Sequence, residues 1–292
     1  MDTEKCKALL CVIENKSLSL AADKLGYTPS GISRMIASME QETGFPLLIR
    51  SRKGVRLTKE CQKLLPVIQE LSFLGKQYSQ ISSEIQGLEI GEISIGISLQ
   101  FYYPWLTKLI TEFIQTHPNI RMNIVEFNSE RLLKKMNAHQ LDLCMISARE
   151  GNHSWIHLQD DPMLAWLPPN HPLTEAEAFP VKAFETEDYI DTHPGQETDN
   201  ARIFAKYKIK PNVKHTTNGI AATYSLVEAG VGISCDNALN AQGWTGNVVF
   251  KPLAPPQIVE IGIAIPSSEF LSPAAKKFVG FVKEHFKEYQ SK

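Results

Sequence analysis

Apolar residues in the first 25 positions recur at the spacing of short helices. Within residues 4–14, the residues at helical spacing are Leu9, Leu10, Val12 and Ile13. This spacing is that of one helix face turned towards a core. A second short helix is expected to start after a cap at Ser17 or Ser19, and to stop at Gly26.

A third helix is predicted from Thr28 to about Thr43. Thr28 can accept hydrogen bonds from the first turn, and Pro29 fits a position where a missing N–H costs nothing. Gly44 supplies the stop. The buried face is given by the apolar residues spaced four and three apart: Ile32, Ile36 and Met39.

The remaining sides of the third helix are short and polar. They include Ser30, Ser33 and Arg34. Serine lowers helix propensity, so it is a poor choice for an ordinary solvated face. Two helices joined by a tight turn, the second with short side chains at its front, are typical of a helix-turn-helix that enters the major groove of DNA. An ordinary amphipathic helix remains the alternative.

Residues 47–58 alternate in the manner of two strands joined at Lys53 and Gly54. Four cations fall within this hairpin: Arg50, Arg52, Lys53 and Arg56. A cationic hairpin beside a helix-turn-helix is a wing, and its charges suit the phosphate backbone and the narrow minor groove. The alternative is a solvated run of charge.

A long helix is predicted from a cap at Thr58 to about Gln86, with Pro66 inside it and bending it slightly. Apolar residues alternate at spacings of three and four along it: Leu64, Val67, Leu71, Leu74, Tyr78, Ile81 and Ile85. This heptad seam favours pairing with the same helix of a second chain. The alternative is packing of the seam on its own domain.

From residue 87 onward, strands and helices alternate, which predicts α/β units with a parallel sheet. A first unit ends near 147, and four prolines between 162 and 172 break the rhythm. A second unit follows, and a strand and a helix close the chain. The fold class expected is α/β after an N-terminal winged helix-turn-helix and a long linker helix.

Charge is uneven along the 292 residues. Residues 1–60 carry a net charge of +3, whereas the remainder carries −5. The two parts therefore suggest different partners. The N-terminus lacks the apolar core of a signal peptide, and no stretch approaches the roughly 20 apolar residues of a membrane span. We expect a cytoplasmic protein without a membrane partner.

The five cysteines give no metal or disulfide pattern, because their number is odd and none is paired at such spacing. The eight histidines are scattered. We therefore expect no metal and no cofactor, and read the cysteines as small buried side chains in a reducing compartment.

The chain resembles the LysR-type transcriptional regulators over its whole length. The resemblance is carried by S-L-S-L-A-A-D-K-L-G-Y-T-P-S-G-I-S-R-M-I-A-S-M-E-Q-E-T-G at residues 17–44 and by R-S-R-K-G-V-R-L-T at 50–58. The segment L-V-E-A-G-V-G-I-S at 226–234 resembles a motif in the family's second effector subdomain. Pro29 departs from the family, many of whose members carry a base-reading glutamine there.

The resemblance implies three parts: a winged helix-turn-helix over 1–58, a linker and dimerisation helix over 59–87, and an effector-binding domain over 88–292. That domain would resemble the periplasmic binding proteins, with lobe I at about 88–162 and 267–292 and lobe II at about 163–266. It also implies homodimers or homotetramers, double-stranded DNA and RNA polymerase as partners, and a small-molecule effector, a carboxylate being one class. The DNA-facing positions would be Thr28, Pro29, Ser30, Ser33, Arg34, Arg50, Arg52 and Lys53.

Effector contacts are expected where strands end on the cleft between the lobes. Ser98, Leu99 and Gln100 precede a helix start that favours anions, and the family often holds an effector carboxylate with a hydroxyl at the place of Ser98. Other strand ends supply Asn128, Ser147, Thr192, His193, Thr217 and Asn218. For each of these a loop cap is an equal alternative. Arg149 and Arg202 are further candidates to pair with a carboxylate.

Two other function classes deserve comparison. An enzyme on the two-lobed fold is not favoured, because the chain has no P-loop, no G-x-S-x-G and no G-x-G-x-x-G after a strand. A structural DNA-binding protein without a ligand is the second class. The two-lobed half argues against it, since packing of DNA does not require a cleft.

Overall fold

The computed structural model describes residues 2–51, 54–98, 104–266 and 271–290, with side chains for all of them except 104, 105 and 287–290. The chain forms two compact units. The first comprises residues up to Gly91 with the short segments Asn137–Gln140 and Ser272–Ala274, and the second comprises the rest. Within the described ranges, no helix combines the length and apolar character needed to cross a membrane.

The first unit begins with three helices: α1 at Thr3–Asn15, α2 at Leu18–Leu25 and α3 at Pro29–Thr43. The predicted caps are confirmed. Ser17 accepts a hydrogen bond from the N–H of Leu20, and Gly26 ends α2 in the left-handed conformation. Thr28 accepts one from the N–H of Gly31, with 3.1 Å between N and Oγ1. The polar caps and the glycine stops thus fix helix ends that the sequence already marks.

The predicted hairpin is confirmed as an antiparallel pair, β1 at Leu48–Ser51 and β2 at Gly54–Leu57. Helix α4 follows at Lys59–Ile85 with Pro66 inside it. Its cap Thr58 accepts from the N–H of Cys61 at 3.0 Å and donates to the carbonyl of Pro46 at 2.9 Å. One buried hydroxyl therefore joins the start of α4 to the chain that leads into the hairpin.

A single apolar core holds the first unit together. Residues from α1, α2, α3, β1 and α4 share it, among them Leu9, Ala22, Ile36, Leu48 and Ile68. The side chains that the sequence assigned to the inner face of α3 are fully buried. Burial of a large aliphatic side chain contributes roughly 1.5–3 kcal/mol. The helices are short, so this packing rather than local propensity stabilises them.

The second unit alternates strands and helices. Its helices are α5 at Pro104–Thr116, α6 at Ser129–Asn137, α7 at Asp199–Tyr207, α8 at Ile220–Glu228 and α9 at Pro273–Gln290. Its strands are β3 at Gly91–Ser98, β4 at Ile120–Phe127, β5 at Leu143–Ser147, β6 at Ser154–Leu167, β7 at Phe179–Pro180, β8 at Tyr189–Thr192, β9 at Val213–Thr217, β10 at Ser234–Asn237, β11 at Val249–Ala254 and β12 at Ile258–Ile265. Short 3₁₀ turns lie at Pro172–Glu175, Val181–Glu185 and Leu239–Ala241.

The sheet is mixed, so the expectation of parallel sheets holds only in part. Strands β3 and β5 are parallel, as are β8 and β9. The main sheet runs in the order β4-β3-β5-β12-β6-β11-β7, with β10 also paired to β6. In it, β12 is antiparallel to β5 and β6, and β10 and β11 are antiparallel to β6. These antiparallel pairs join segments far apart in the chain, which no local pattern reveals.

Strand β6 runs through Pro162, where the sequence predicted a break. Its first half pairs with β12 and its second half with β10 and β11. Pro162 lies at the change of partner, where its missing N–H removes little, and its carbonyl still accepts from the N–H of Ala238 at 2.8 Å. We call the part that contains the first half of β6 and β12 lobe I. The part that contains the second half of β6 with β10 and β11 is lobe II.

The end of lobe II differs from the sequence expectation. Residues 163–266 were assigned to lobe II, but β12 pairs with β5 and with the first half of β6, which places it in the sheet of lobe I. The chain therefore crosses from lobe II back to lobe I between Ala254, where β11 ends, and Ile258, where β12 begins. The N–H of Met163 donates to the carbonyl of Gln257 at 2.9 Å, which joins the two crossing segments.

Candidate functional site

Helix α3 presents a front edge with little bulk. The side chains of Thr28, Pro29, Ser30 and Arg34 are exposed, whereas Ser33 is half-buried. The hydroxyls of Thr28 and Ser30 lie 3.1 Å apart. The first two turns of α3 therefore combine small hydroxyl groups with the exposed cation of Arg34. Such a surface lets a helix backbone approach the floor of the major groove, where arginine can contact guanine and serine can contact phosphate or a base.

The hairpin brings a second arginine to the same surface. Arg50 is exposed, and its Nη1 donates to Ser33 Oγ at 3.1 Å. Arg56 on β2 is also exposed. Arg52 and Lys53, expected at the hairpin tip, lie outside the described residues. The described part of the hairpin thus adds positive charge beside α3.

The predicted seam of α4 divides into two parts. Leu64 and Leu71 are partly buried and pack against the core of the first unit. The other members are exposed in the single chain: Val67, Leu74, Tyr78, Ile81 and Ile85. Ile85 and Tyr78 expose 81% and 76% of their surface. The first part follows the alternative of packing on the chain's own domain, and the second is an apolar stripe without cover from the described residues of its own chain.

In lobe I, two buried serines end neighbouring parallel strands. Ser98 ends β3 and Ser147 ends β5, and both are at least 95% buried. Ser129, at the start of α6, donates to Ser98 with 3.5 Å between the hydroxyl oxygens. The structure thus brings Ser98 beside a second hydroxyl that the sequence did not single out. Leu99 and Gln100 lie outside the described residues.

Asn128 serves both as a cap and as a contact between the lobes. Its Oδ1 accepts from the N–H of Arg131 in the first turn of α6, at 2.9 Å. Its Nδ2 donates to Gln196 Oε1 in lobe II, at 2.8 Å. The loop cap, one of the two alternatives drawn from the sequence, is therefore present, and the same side chain also links the two lobes.

In lobe II, three threonines share hydrogen bonds. The hydroxyls of Thr192 and Thr217 each lie 2.6 Å from the hydroxyl of Thr223 on α8. Sequence reasoning named the first two but missed Thr223, which lies one helical turn after the cap of α8. A buried hydroxyl chain of this kind orients the ends of β8 and β9.

His193 and Asn218 follow these threonines. His193 has a left-handed backbone (φ 65°), and its N–H donates to the carbonyl of Thr217 at 2.8 Å. Burial lowers the pKa of His193, with nearby Asp191 opposing the shift. Burial also raises the pKa of Asp191. Asn218 is exposed, so it lies at the edge of this group.

Both arginines that the sequence proposed for a carboxylate meet one within the chain. Arg149 and Asp199 form an ion pair of 2.8 Å between Nη1 and Oδ1, with side chains 8% and 2% exposed. Arg202 lies 3.4 Å from the same oxygen. Ser147 donates to it at 3.0 Å. Asp199 was missed from sequence, although an acidic residue in the first turn of a helix after a strand end is a usable signal.

Among the described residues, no group of three or more histidines, cysteines, aspartates or glutamates is placed to hold a metal ion. The chemistry available at the described strand ends is that of hydroxyls, amides and two guanidinium groups around one carboxylate. Groups of this kind can form hydrogen bonds with a small polar molecule.

Two family models match the chain, one on each part. Residues 3–62 match the bacterial regulatory helix-turn-helix protein of the lysR family, and residues 86–287 match the LysR substrate binding domain. The second match alone covers more than half of the chain. The chain belongs to the LysR family. It is therefore a DNA-binding transcriptional regulator with an effector-binding domain.

Relatives in the LysR family align with the chain over nearly its whole length. It is 25% identical to the Hca operon transcriptional activator HcaR of Escherichia coli (strain K12), covering 97% of this chain and 98% of that protein. It is 23% identical to the regulator BenM of Acinetobacter baylyi, covering 92% and 91%. It is 26% identical to the uncharacterized regulator YvbU of Bacillus subtilis (strain 168), covering 98% and 99%.

Solved LysR-type structures share the fold. A full-length OxyR variant from Pseudomonas aeruginosa superposes with a TM-score of 0.76 at 17% identity, covering 98% of this chain and 95% of that chain. Full-length CbnR in complex with its target DNA gives 0.64 at 16% identity, covering 97% and 99%. These likenesses extend over both units of the chain, and at this identity they speak for the fold alone.

Proposed function

We propose that the chain is a sequence-specific regulator of transcription that reads duplex DNA with α3 and the hairpin, and whose effector is a small molecule bound between the two lobes. The observation that carries the proposal is the front edge of α3. Small hydroxyl side chains and Arg34 are exposed there, while Arg50 of the hairpin is bonded to Ser33 beside them. Short polar side chains along one edge of a helix suit the major groove of DNA better than a solvated surface or an apolar core.

Eight side chains divide the contact with DNA between bases and phosphates. Arg34 is the best placed for a guanine edge, because it is exposed near the start of the helix. Six further positions suit phosphate oxygens or the minor groove: Thr28, Ser30, Ser33, Arg50, Arg52 and Lys53. Pro29 offers no hydrogen bond, so we expect its contact to be apolar, with a thymine methyl group as the natural partner.

Three regions carry the separate tasks of the regulator. Residues 1–58 bind DNA, residues 59–87 pair with a second chain, and residues 88–292 bind the effector. The exposed stripe on α4 supports the pairing, since side chains such as Tyr78 and Ile85 leave large apolar areas in water in a single chain. A dimer related by a twofold axis would contact two half-sites roughly 34 Å apart. Two dimers joined through their effector domains would give a homotetramer.

The effector surface consists of the strand ends of both lobes. In lobe I these are Ser98, Leu99, Gln100, Asn128 and Ser147, and in lobe II they are Thr192, His193, Thr217 and Asn218. The hydrogen bond from Asn128 to Gln196 supports a shared surface, because it joins a residue of the first group to lobe II. An effector that binds one arrangement of the lobes more tightly than another shifts the population towards that arrangement, and so changes the DNA complex.

Control of transcription also requires contact with RNA polymerase, which we propose as a partner, and action in the cytoplasm where the DNA lies. We do not propose an enzymatic activity, because the described strand ends combine no nucleophile with an activating base. A structural DNA-binding protein is the second class to be tested. It would bind DNA without preference for sequence.

The test is selection of duplexes from a random pool by the full-length chain, followed by affinity measurements at one fixed salt concentration. We expect an enriched motif with two half-sites. Arg34→Ala should weaken binding to that motif by about 1–3 kcal/mol and relax the preference at one position of each half-site. Arg121→Ala removes the same charge from an exposed place on β4 of the second unit, and should leave the motif and affinity unchanged.

Two results would overturn the proposal. Selection without any enriched motif would favour the structural DNA-binding protein. Equal losses in the Arg34→Ala and Arg121→Ala variants would reduce the role of Arg34 to general charge. In either case, the front edge of α3 would not be a reading surface.

A further inference from the structure

One carboxylate oxygen gathers the polar groups where the lobes meet. Asp199, the first residue of α7 in lobe II, receives on its Oδ1 the hydroxyl of Ser147 at 3.0 Å and the ion pair with Arg149 at 2.8 Å, both from lobe I. Arg202 adds a third approach to Oδ1 at 3.4 Å and donates to the carbonyl of Ala148 at 2.9 Å. We call Ser147, Arg149, Asp199 and Arg202 the interlobe clamp.

Some buried hydrogen-bonding atoms of the clamp have no partner among the described residues. Within the described part of the chain, Asp199 Oδ2 and Arg149 Nε are buried and have no hydrogen-bond partner. An arginine and a carboxylate that serve only as a structural pair normally meet through two parallel bonds, which would use one further donor and the second oxygen. Here the contacts converge on Oδ1 and leave an unpaired acceptor and an unpaired donor. Buried polar atoms of charged groups are rarely left in this state.

Charge at the clamp favours an acidic group. Two guanidinium groups face Asp199, so the four residues of the clamp carry one excess positive charge, and Asp236 is a further buried carboxyl group that interacts with Asp199. Asp199 lies in the first turn of the nine-residue helix α7, whose N-terminal N–H groups also favour negative charge. Arg149 is buried, so its attraction for an anion is weakly screened by salt. An acid is therefore the chemistry that this end of the interlobe surface can accept.

The carboxylate adds a second requirement. A plain acid brings only acceptors, and it would place its own negative charge beside Asp199 while leaving Oδ2 unpaired. A molecule with an acidic group and a neighbouring hydroxyl or ammonium group meets both needs. Its oxygen accepts from Arg149 Nε, and its O–H or N–H donates to Asp199 Oδ2.

We propose that Asp199 is a specificity-determining residue that selects, as effectors, hydroxy acids or amino acids over acids without a hydrogen-bond donor. The proposal rests on the proposed function, since it assigns a ligand class to the same interlobe surface. It assigns the acid to Arg149 and the donor to Asp199. Recognition of a donor by a buried acceptor discriminates strongly, because the analogue without it leaves the acceptor unpaired.

The test uses pairs of acids that differ by one donor: lactate and propionate, malate and succinate, aspartate and succinate, mandelate and phenylacetate. Each compound is titrated into the full-length chain, and its dissociation constant is measured by calorimetry. We expect the donor-bearing member of at least one pair to bind about tenfold or more tightly than its partner. This arm needs no variant, so it does not depend on whether a substituted clamp folds.

A variant then tests the residue itself. Asp199→Asn keeps Oδ1 and replaces the orphan acceptor with a donor, so the preference for the donor-bearing acid should fall to about one, or reverse. Asp160→Asn, which changes an exposed carboxylate of lobe I, should retain the preference. If Asp199→Asn does not fold, the paired titrations with the unmodified chain still test the ligand class.

Outcomes separate the inference from the proposed function. Binding of donor-free acids as tight as that of their partners would overturn the inference, but would keep an effector between the lobes. Failure of all the pairs to bind would overturn the ligand class. The selection of DNA duplexes tests the proposed function independently of this result. A preference that survives in Asp199→Asn would remove Asp199 as its source.

Discussion

Arg50 of the hairpin donates a hydrogen bond to Ser33 of α3, with 3.1 Å between Nη1 and Oγ. The bond links the two elements that we propose to contact DNA. A guanidinium held in this way loses less conformational freedom on binding than a free one. The hydroxyl of Ser33 would then act through Arg50 rather than through a base.

This relationship predicts that the effects of Ser33→Ala and Arg50→Ala on DNA affinity do not add. If Ser33 mainly orients Arg50, the double variant should lose little more than Arg50→Ala alone, with a coupling of about 0.5–3 kcal/mol. Fluorescence anisotropy with the selected duplex at fixed salt measures it. Ser79→Ala removes a hydroxyl that bonds only within α4, and should show no coupling to Arg50. Additive losses would mean that the two residues act independently.

The exposed stripe on α4 predicts a helix-mediated dimer. Ile81 and Ile85 expose 46% and 81% of their surface in the single chain. A lysine placed in a seam between paired helices would bury a charge, so Ile81→Lys and Ile85→Lys should raise the dimer dissociation constant by about tenfold or more. Sedimentation of the full-length chain over a range of concentrations measures this. Gln62→Lys, exposed and off the seam, should sediment as the unmodified chain does.

Local signals were sufficient for the first unit. The ends of α2 and α3 follow from Ser17, Gly26 and Thr28, since each satisfies or releases backbone groups within its own turn. Packing of Leu64 and Leu71 on the core was less accessible, because a heptad pattern does not say which surface covers each member. The sequence predicts the stripe, and the fold decides how much of it remains exposed.

Thr58 is predicted to be a stabilising residue of the first unit. Its buried hydroxyl caps α4 and also donates to the carbonyl of Pro46, so Thr58→Ala should lower the free energy of unfolding by about 1–3 kcal/mol. Thr58→Ser keeps the hydroxyl and should recover most of it. Thr111→Ala removes an exposed hydroxyl bonded only within α5 and should cost little. Hydrogen exchange in the first turn of α4 would localise the effect, and unchanged exchange would contradict it.

A buried carboxyl group at the passage between the lobes predicts a pH dependence. Burial raises the pKa of Asp161 to about 7 from an ordinary value near 3.8. The folded chain therefore binds more protons than the unfolded chain between these values, and its stability falls as pH rises from about 4 to about 7. Asp161 lies beside Asn237 and Asp236. Burial raises the pKa of Asp236 to about 6. For both carboxyl groups, the free energy of unfolding therefore falls as the pH rises.

Asp161→Asn keeps the oxygen that accepts from the N–H of Leu239 and removes the ionisation. It should therefore stabilise the chain at pH 8 by an amount on the order of a few kcal/mol, and have little effect at pH 4. Thermal unfolding at the two pH values measures the difference. Asp160→Asn, an exposed neighbour, should leave the pH dependence as it is. An equal effect of Asp161→Asn at both pH values would exclude Asp161 as a source of the slope.

The burial of the cysteines predicts that the chain resists oxidation. Burial raises the pKa of Cys61 to about 11 and that of Cys144 to about 12, so the reactive thiolate is scarce at neutral pH. Cys11 is the only one that is not fully buried among the five. Alkylation of the native chain should label Cys11 first and the others only after unfolding. Rapid labelling of Cys144, followed by altered DNA binding, would contradict this.

The effector half was predicted only in outline. Strand ends such as Ser98 and Ser147 follow from the alternation of elements, because parallel strands bring their carboxyl ends to one edge. Asp199 and Thr223 escaped, since their importance arises from partners 52 and 31 positions away. The place of β12 in lobe I escaped for the same reason. Contacts of this range are set by the closing of the whole fold, not by any window of sequence.

The central claim is that a small molecule bound between the lobes changes how the chain contacts DNA. The most direct measurement is a footprint of the full-length chain on its selected duplex, with and without the acid that binds most tightly in the paired titrations. We predict that the acid alters the protected region or the bend of the duplex, and that Asp199→Asn weakens this response. A footprint and bend that stay the same at a saturating concentration of the acid would contradict the account.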